Sequence, residues 1–577
     1  MAAQPADPQD HGHPMNGIAM TCELSQTFFF DAAHTLDRAI ETASSKRIHG
    51  HTYNAEVFLT GQPDPATGMV IDLGLVRREV ALLREQLDHH LLDEVQGLGP
   101  PTLENLCQFI FIRLLPALPA LTSVRVWRVS IGDGCRVTRS QSPGNLEAMK
   151  AYRASILYFP DPTAHQAVLE SDGLLVVGPD ARNRQVVQAL GSWAELAPRF
   201  ADVPTEHLPG RIIAPGFVDM HTHYPQIDVI GSPAEGLLPW LDNYTFPHEK
   251  RFSAPDYSAQ AAIFFIAELL RNGVTTALTF STSHPESVNA LFAEAQKHQL
   301  RLVTGKCLMD QNSPDGVRDD TEQSLIDTEA LIQRWHGVDR LGYAITPRFV
   351  PSCSAAQLHG AGELAARYPD VWIQSHVAEN RDEIAWVREL YPEARSYLSV
   401  YEQFGLLRPR AVYAHCIHFD DEDRALMRHT GAVAAVSPTS NLFLGSGFFD
   451  YEGADRVGFD YGLASDVGGG TSFSPFHTML AAYYVGRDGQ TKPGLSVSPQ
   501  NLWWQHTAGA ARALGLQGVV GNLLPGCEAD FVVLNPQATP LLARKTGQAA
   551  NLDELLFSMI VLGDDRLVEK TVISQAG

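Results

Sequence analysis

The chain has 577 residues, more than one ordinary hydrophobic core accommodates, so two or more domains are expected. Its composition, 45% hydrophobic and 19% charged, is that of a globular protein. The formal net charge is −23, from 43 Lys and Arg against 66 Asp and Glu. This balance disfavours binding to nucleic acid and to anionic membrane surfaces, because both require clustered basic residues.

The cysteines and the N-terminal segment indicate where the protein resides. Seven cysteines occur singly, without a C-x-x-C pair, which is typical of a reducing compartment rather than of a disulfide scaffold. The first nineteen residues lack a basic segment followed by an apolar one, and no run of eighteen apolar residues occurs. Neither a signal peptide nor a transmembrane helix is predicted, and we expect a cytoplasmic protein.

The N-terminal part of the chain is predicted to contain a tail, a domain and a linker. Residues 1–19 are rich in Pro, Asp and Gly and predict a disordered tail. Its pair His11 and His13 makes a poor metal site, because ordering a flexible tail costs conformational entropy. Residues 20–138 alternate between strand-like and helix-like periodicity and predict a small α+β domain. Residues 139–150 resemble a linker.

From residue 151 onward, short apolar runs alternate with longer helical stretches. Eight such runs predict a (β/α)8 barrel of the TIM type over 214–520, within an overall α/β fold. The first run, "IIAPGFVDMHTH", is interpreted as one strand. The short strand-like segments at 151–213 and 521–577 predict a small β-sandwich built from both sides of the barrel sequence.

Polar residues end several of the predicted barrel strands, where the active sites of such barrels lie. His221 and His223 are two residues apart, so their side chains point to the same side of the first strand. His376, His415 and Asp466 end three later strands. Although one histidine at a strand end is more often structural, several at successive ends favour a zinc-type ligand set with room for water.

The segments around these residues resemble the amidohydrolase superfamily and, within it, the guanine deaminase family. The matching segments occur in the family's order over 150–577, and they include "PGFVDMHTHYPQ", "WLDNYTFPHEKRF", "GKCLMD", "TPRF", "QSHVAENRDE", "SNLFLGSG" and "ASDVGGG". The resemblance implies hydrolytic deamination of a small purine substrate, guanine, to xanthine and ammonia.

The same resemblance implies roles for individual residues. One zinc ion would have four ligands: His221, His223, His376 and Asp466. Glu379 matches the family's proton shuttle, and Asp466 would also orient the attacking hydroxide. His415 matches a residue that hydrogen-bonds the nucleophile or the tetrahedral intermediate; the alternative is a histidine that merely supports the ligands.

Three further residues match the family's contacts to the purine ring. Gln226 can both donate and accept hydrogen bonds, and Arg348 can bind a ring carbonyl. Phe349 can stack on the ring. Without the resemblance, Arg348 reads equally well as a member of a surface salt bridge, and Phe349 as core packing.

Residues 20–135 resemble a second family, the 6-pyruvoyl- and 6-carboxy-tetrahydropterin synthases. The matching segments are "FFFDAAHTL", "RIHGHTYNAEV", "GMVIDLGLVRREV", "LDHHLLDE" and "PTLENLC". The resemblance implies a tunnelling fold that assembles through its sheets, so we expect a homo-oligomer. It implies a second zinc site formed by His34, His49 and His51. Asp88 and His89 match the family's proton-relay pair.

Two departures from this second family argue against its synthase activity. The family's reactive Cys is missing before H-G-H, and Ser44 or Ser45, near that place, carries a hydroxyl that ionises far less readily than a thiol. The family's ring-binding Glu corresponds to Arg128, which donates but cannot accept hydrogen bonds. We therefore predict a zinc-binding domain without the usual synthase activity.

Three alternatives stay open at the level of the sequence. Pterins share the 2-amino-4-oxo edge of guanine, so a pterin or 8-oxoguanine deaminase is the nearest alternative. The second is a bifunctional enzyme whose N-terminal domain is an active 6-carboxytetrahydropterin-synthase-like lyase, against which the missing Cys argues. The third is a purely structural role in assembly for the N-terminal domain.

Overall fold

The computed structural model describes residues 22–36, 47–61, 63, 67–129, 131–138, 149–180, 182–488 and 497–575. The predicted tail with its two histidines, the Ser44–Ser45 position and nearly all of the predicted linker lie outside the described residues. The chain divides into two compact units, Met1–Pro143 and Gly144–Gly577. Within the described ranges, no helix is long and apolar enough to cross a membrane.

Among its described residues, the first unit is an antiparallel sheet with two helices packed against it. Its strands, in sheet order, are β1 (Cys22–His34), β2 (His49–Gly61), β3 (Leu121–Arg128) and β4 (Asp133–Thr138). Its helices are α1 (Leu73–Arg84) and α2 (Leu103–Leu114). Buried and more exposed residues alternate along β2, so that one face packs on the helices. The register places His34 opposite His49 and Ala32 opposite His51.

The second unit contains fifteen strands among its described residues. In chain order they are β5 (Lys150–Tyr158), β6 (Val168–Pro179), β7 (Gln185–Ser192), β8 (Thr205–Pro215), β9 (Phe217–His223), β10 (Val274–Phe280), β11 (Arg301–Gly305), β12 (Cys307–Leu308), β13 (Leu341–Pro347), β14 (Trp372–Val377), β15 (Ala411–His415), β16 (Val433–Val436), β17 (Tyr461–Leu463), β18 (Phe531–Leu534) and β19 (Val568–Val572).

The helices of the second unit connect these strands. They are α3 (Trp193–Leu196), α4 (Leu237–Trp240), α5 (Phe246–Glu249), α6 (Pro255–Arg271), α7 (Pro285–Lys297), α8 (Thr321–Trp335), α9 (Ala355–Arg367), α10 (Arg381–Leu390), α11 (Tyr397–Gln403), α12 (Asp421–Thr430), α13 (Pro438–Phe443), α14 (Tyr451–Val457), α15 (Pro475–Asp488), α16 (Pro499–Gln505), α17 (Ala508–Ala513), α18 (Pro540–Thr546) and α19 (Leu552–Leu562). A π-helical turn, Leu241–Thr245, joins α4 to α5.

The predicted barrel is confirmed as eight parallel strands in the order β9-β10-β11-β13-β14-β15-β16-β17, with β12 paired to β13. These strands are buried almost throughout, as expected where helices cover a parallel sheet. The backbone links the two ends of the sheet. The amide of Asp466 donates to the carbonyl of His221 at 2.8 Å, and the amide of His223 donates to Val467 at 2.7 Å.

The interpretation of "IIAPGFVDMHTH" as one strand is wrong. The segment divides at Gly216: β8 ends at Pro215 in the small sheet, and β9 begins at Phe217 in the barrel. A Cβ atom on Gly216 would lie 2.1 Å from Oγ1 of Thr275, so the close approach of two backbones requires glycine here.

The strands that flank the barrel in sequence form one six-stranded sheet, in the order β19-β18-β8-β5-β6-β7. Strand β8 pairs with β18 on one side and with β5 on the other, which joins the two flanking segments. Apolar side chains from both segments, including Ile156, Ile213 and Phe531, share one core.

Candidate active site

Four polar side chains meet at the C-terminal ends of the barrel strands. Nε2 of His223 lies 3.1 Å from Nε2 of His221 and 3.2 Å from Nε2 of His376. Oδ1 of Asp466 lies 3.1 Å from Nε2 of His221 and 3.3 Å from Nε2 of His223. Ligands on a tetrahedron with bonds of about 2.0 Å are separated by about 3.3 Å, so these spacings are those of a tetrahedral metal site.

The protonation of this cluster suits a cation. Nδ1 of His376 donates to the carbonyl of Arg348 at 2.6 Å, which leaves the Nε2 lone pair directed at the cluster. Burial lowers the pKa of His223 to about 3, so the ring is neutral at physiological pH. Burial opposes ionisation of Asp466, but contacts with His221 and His223 hold its pKa well below the usual range. Neutral imidazoles and one carboxylate are the donor set of a zinc site.

The backbone at the strand ends directs these groups into the mouth of the barrel. His415 and Asp466 have φ angles of 75° and 49°, in the left-handed region that most side chains avoid. Such conformations concentrate at functional sites, where the surrounding structure enforces them. Asp219, buried in β9, accepts hydrogen bonds from the amides of His221 and Ser465 and thereby ties β9 to the segment after β17.

A carboxyl group and a histidine stand next to the cluster. Oε2 of Glu379 lies 3.2 Å from Nε2 of His415, and Oε1 accepts a hydrogen bond from the Ser446 hydroxyl at 3.1 Å. Burial, aided by the charge of Asp466, raises the pKa of Glu379 to about 8. Nδ1 of His415 donates a hydrogen bond to Oδ1 of Asn441 at 2.8 Å, which orients the ring with Nε2 towards Glu379.

A second buried carboxyl group supports Glu379 from behind. Oε2 of Glu383 accepts the backbone N–H groups of Glu379 and Asn380, each at 3.1 Å. The Tyr397 hydroxyl donates to Oε1 of Glu383 at 2.7 Å. The bond from Asn380 belongs to the N-terminal capping box of α10, and the three bonds together fix the backbone that carries Glu379.

The cluster forms one wall of a cavity at the mouth of the barrel. Gln226, Arg348 and Phe349 line the same cavity, together with apolar side chains that include Trp240. Arg348 is buried rather than on the surface, and its guanidinium forms a forked ion pair with Glu249. All nine residues predicted for the barrel site therefore lie around one cavity or in the cluster at its wall.

The first unit brings its three predicted histidines together. The ring centroid of His34 lies 4.5 Å from that of His49 and 5.3 Å from that of His51. One ring nitrogen from each of the three histidines lies within 4.8 Å of the other two. Both ring nitrogens of His34 are buried without a hydrogen-bond partner. Burial, aided by the neighbouring histidines, lowers the pKa of His34 to about 4. Nδ1 of His49 donates to the carbonyl of Arg47 at 2.7 Å, which leaves Nε2 as an acceptor.

His89 lines a shallow cavity that His51 also lines, and Asp88 lies against the ring of His89. Nδ1 of His89 is 3.2 Å from Oδ1 of Asp88, which in turn accepts the amide of Asp31 at 2.9 Å. Arg128 is buried, and its Nε and Nη2 form a forked pair with Asp133. The position that corresponds to the family's ring-binding Glu is thus a neutralised ion pair.

Comparison with known proteins places the second unit in a family. The model of the amidohydrolase family matches residues 212–574. The chain belongs to the amidohydrolase family. The model of 6-pyruvoyl tetrahydropterin synthase matches residues 23–140, within the first unit.

Similar amidohydrolases are guanine deaminases. The guanine deaminase of Escherichia coli is 41% identical over 415 residues, which cover 72% of this chain and 92% of that protein. Its solved structure matches with a TM-score of 0.69 at 39% identity, covering 74% of this chain and 97% of the other. A guanine deaminase from C. acetobutylicum with bound guanine matches with a TM-score of 0.68 at 30% identity, over 74% and 98% of the two chains.

Five residues of this amidohydrolase site were not predicted from the sequence: Asp219, Glu249, Glu383, Asn441 and Ser446. Asp219 is a carboxylate within the apolar strand "FVDMH", a pattern that indicates a buried polar role. Glu383 follows Asn380 by three residues, which is a capping-box signature. Glu249 and Ser446 lie in the matching segments "WLDNYTFPHEKRF" and "SNLFLGSG", but these segments do not indicate their partners, which are distant in sequence.

Proposed function

We propose that this amidohydrolase is a guanine deaminase, converting guanine and water to xanthine and ammonia. One observation carries the proposal: Glu379 and three members of the four-residue cluster line one cavity together with Gln226 and Arg348. The cluster supplies hydrolytic chemistry, and the amide and guanidinium supply donors and acceptors for a flat polar ring. The resemblance to guanine deaminases over nearly their whole length supports the same conclusion.

The metal assignment follows from the donor set. His221, His223, His376 and Asp466 would hold one zinc ion. When bound, zinc supplies Lewis acidity and lowers the pKa of a water molecule towards neutrality. The same reasoning assigns a second zinc ion in the first unit to His34, His49 and His51, because a buried histidine without hydrogen-bond partners requires a ligand.

Glu379 is the proton carrier in this proposal. Its raised pKa lets it exchange protons near neutral pH, as a general acid–base group must. It takes a proton from water at a carboxylate oxygen, delivers it to a ring nitrogen of guanine and assists the departure of the 2-amino group as ammonia. Because Asn441 holds the proton of His415 on Nδ1, Nε2 is an acceptor that orients the attacking water through a hydrogen bond.

Ring recognition is assigned to three residues. Arg348 binds the ring carbonyl, Gln226 binds the ring edge, and Phe349 packs against the ring face. Phe349 lines the cavity and is held by an edge contact with Trp386, whose ring centroid is 6.2 Å away. Such a site disfavours analogues that lack a bonded edge atom, because they leave buried polar groups unpaired.

For the N-terminal domain, residues 20–138, we infer a zinc-binding assembly module without ordinary synthase activity, in a cytoplasmic homo-oligomer. The forked pair between Arg128 and Asp133 supports this, because the corresponding position no longer offers a free carboxylate to a pterin. A synthase-like lyase activity would require turnover of dihydroneopterin triphosphate, which tests the alternative directly.

The testing experiment measures ammonia release from guanine, 8-oxoguanine and pterin by the purified protein, beside Glu379→Gln. Turnover of guanine that the variant loses, at unchanged metal content, supports the proposed activity and the role of Glu379. Preferential turnover of pterin or 8-oxoguanine would replace guanine as the substrate. No turnover of any of the three by zinc-loaded protein would refute the proposal.

A further inference from the structure

Glu249 touches two of the cavity's recognition side chains without lining the cavity itself. It is the last residue of α5, and its side chain is 0% exposed. Its Oε2 accepts from Nη1 of Arg348 at 2.8 Å, and Oε1 accepts from Nη2 at 3.1 Å. Oε1 also accepts from Nε2 of Gln226 at 3.4 Å. One carboxylate therefore contacts both polar side chains assigned to ring recognition.

The ion pair fixes the direction of the Arg348 guanidinium. A guanidinium has five N–H donors in one plane, and Glu249 engages two of them in a forked arrangement. The ring of Phe246 lies against the group, with its centroid 5.0 Å from Cζ. The side chain is thus held at one edge and one face, which fixes the direction in which its remaining N–H groups point.

The same carboxylate fixes the orientation of the Gln226 amide. Oε1 of Gln226 accepts from the amide of Gly468 at 3.2 Å, while Nε2 donates to Glu249. A carboxylate only accepts and a backbone N–H only donates, so the two neighbours admit one of the two amide orientations. Glu249 and Gly468 therefore determine which side-chain atom of Gln226 can donate to a ligand and which can accept.

We propose that Glu249 is a positioning residue that determines specificity, locking Arg348 and Gln226 into one donor–acceptor pattern that selects a purine with a 6-oxo group. The proposal rests on the guanine deaminase function proposed above. The competing explanation is that Glu249 merely neutralises a buried arginine, in which case its removal destabilises the fold without altering selectivity.

Glu249→Gln separates the two explanations, because it preserves shape while replacing one acceptor with a donor. The NH2 group of the new amide opposes the N–H donors of Arg348. Its oxygen and nitrogen also let the Gln226 amide adopt either of its two orientations. We expect KM for guanine to rise about 10- to 100-fold, the range of one charged buried contact, with a smaller change in kcat. The ratio of kcat/KM for guanine to that for 2-aminopurine, which lacks the 6-oxo group, should fall by a similar factor, at unchanged zinc content.

Asp530→Asn is the matched control, because Asp530 forms an equally buried pair with Arg340 away from the cavity. It should lower Tm and leave KM and the substrate ratio unchanged. If Glu249→Gln behaves like this control, the proposal is overturned. If Glu249→Gln does not fold, Glu249→Asp, which keeps the charge but withdraws the carboxylate, must raise KM and lower the ratio, and an unchanged ratio overturns the proposal.

If the proposed function is wrong, the experiment gives a result that differs from failure of the Glu249 proposal. Wild-type protein that does not deaminate guanine refutes the function, whatever the variant does. Calorimetric binding of guanine then still tests the positioning role, because Glu249→Gln should weaken binding about tenfold or more relative to wild type and Asp530→Asn should not. Equal binding by all three proteins overturns the inference.

Discussion

The hydroxyl of Ser446 donates to Oε1 of Glu379 at 3.1 Å, within a site that otherwise opposes the carboxylate's charge. Burial and the nearby Asp466 raise the pKa of Glu379, whereas the bond from Ser446 lowers it. The pKa of Glu379 therefore depends on opposing effects. The effect of Ser446 is the easiest of these to remove by mutation.

Ser446→Ala should raise the pKa of Glu379, because the ionised form loses a hydrogen bond. Glu379 accepts a proton as the carboxylate, so activity falls as pH drops through its pKa. The acidic limb of the kcat/KM profile for guanine should thus move to higher pH by about 0.5 to 1 unit. Ser313→Ala, whose hydroxyl donates to the carbonyl of Gln311 instead, should leave the limb in place. A limb that does not move in Ser446→Ala would rule out this contribution.

Asn441→Ala should release the ring of His415. Without the acceptor on Nδ1, the ring can rotate or adopt the other tautomer, and Nε2 is then no longer held towards Glu379 and Asp466 as an acceptor. We expect kcat to fall about 10- to 100-fold with little change in KM, since the lost interaction belongs to the transition state. Metal analysis provides the control, because His415 is not among the four proposed ligands. Equal losses of metal and activity would instead make His415 part of the metal site.

The two histidine clusters predict separable metal sites. Metal analysis of the intact protein should give about two zinc ions per chain. The double variant His49→Ala/His51→Ala should retain one zinc and guanine deamination, whereas His221→Ala/His223→Ala should retain one zinc and lose activity. A full zinc complement in the first variant would remove the first unit's cluster from the list of metal sites.

Gly216→Ala should destabilise the second unit. The new methyl group would lie 2.1 Å from Oγ1 of Thr275, where the small sheet passes into the barrel, and close packing admits no such overlap. We expect a loss of about 1 to 3 kcal/mol in the free energy of unfolding, measured by urea denaturation. Gly236→Ala, where a Cβ meets nothing within 4 Å, is the control. Equal stability of the two variants would contradict the packing argument.

The sequence predicted those features of the molecule that depend on local periodicity. Alternating apolar runs indicated the eight barrel strands, and polar residues at their ends indicated His221, His223, His376 and Asp466. The division at Gly216 escaped prediction, because both strands are apolar and the break depends on the approach of Thr275. Periodicity describes one strand or helix at a time. The boundary at Gly216, in contrast, is set by a contact between two strands.

Residues that support the site through long-range contacts could not be predicted from the sequence either. Glu249 precedes Arg348 by about a hundred positions, and Ser446 follows Glu379 by 67. Neither pairing leaves a pattern that a single sequence displays, since side-chain bonds between distant segments require only compatible chemistry. Glu383 is different, because it bonds to residues close in sequence and its capping motif can be recognised in the sequence. Long-range partners therefore had to come from the structure.

The backbone bonds between His221 and Asp466 and between His223 and Val467 have a consequence for biosynthesis. The first two proposed ligands emerge from the ribosome with the first barrel strand, but the residue that completes their cluster follows the last one. A nascent chain thus carries exposed strand edges and an incomplete cluster until the sheet can close, which makes the interval before release the period of greatest risk of aggregation. Any termination upstream of Asp466 yields a polypeptide without the complete cluster, so messages truncated before that codon encode no residual enzyme.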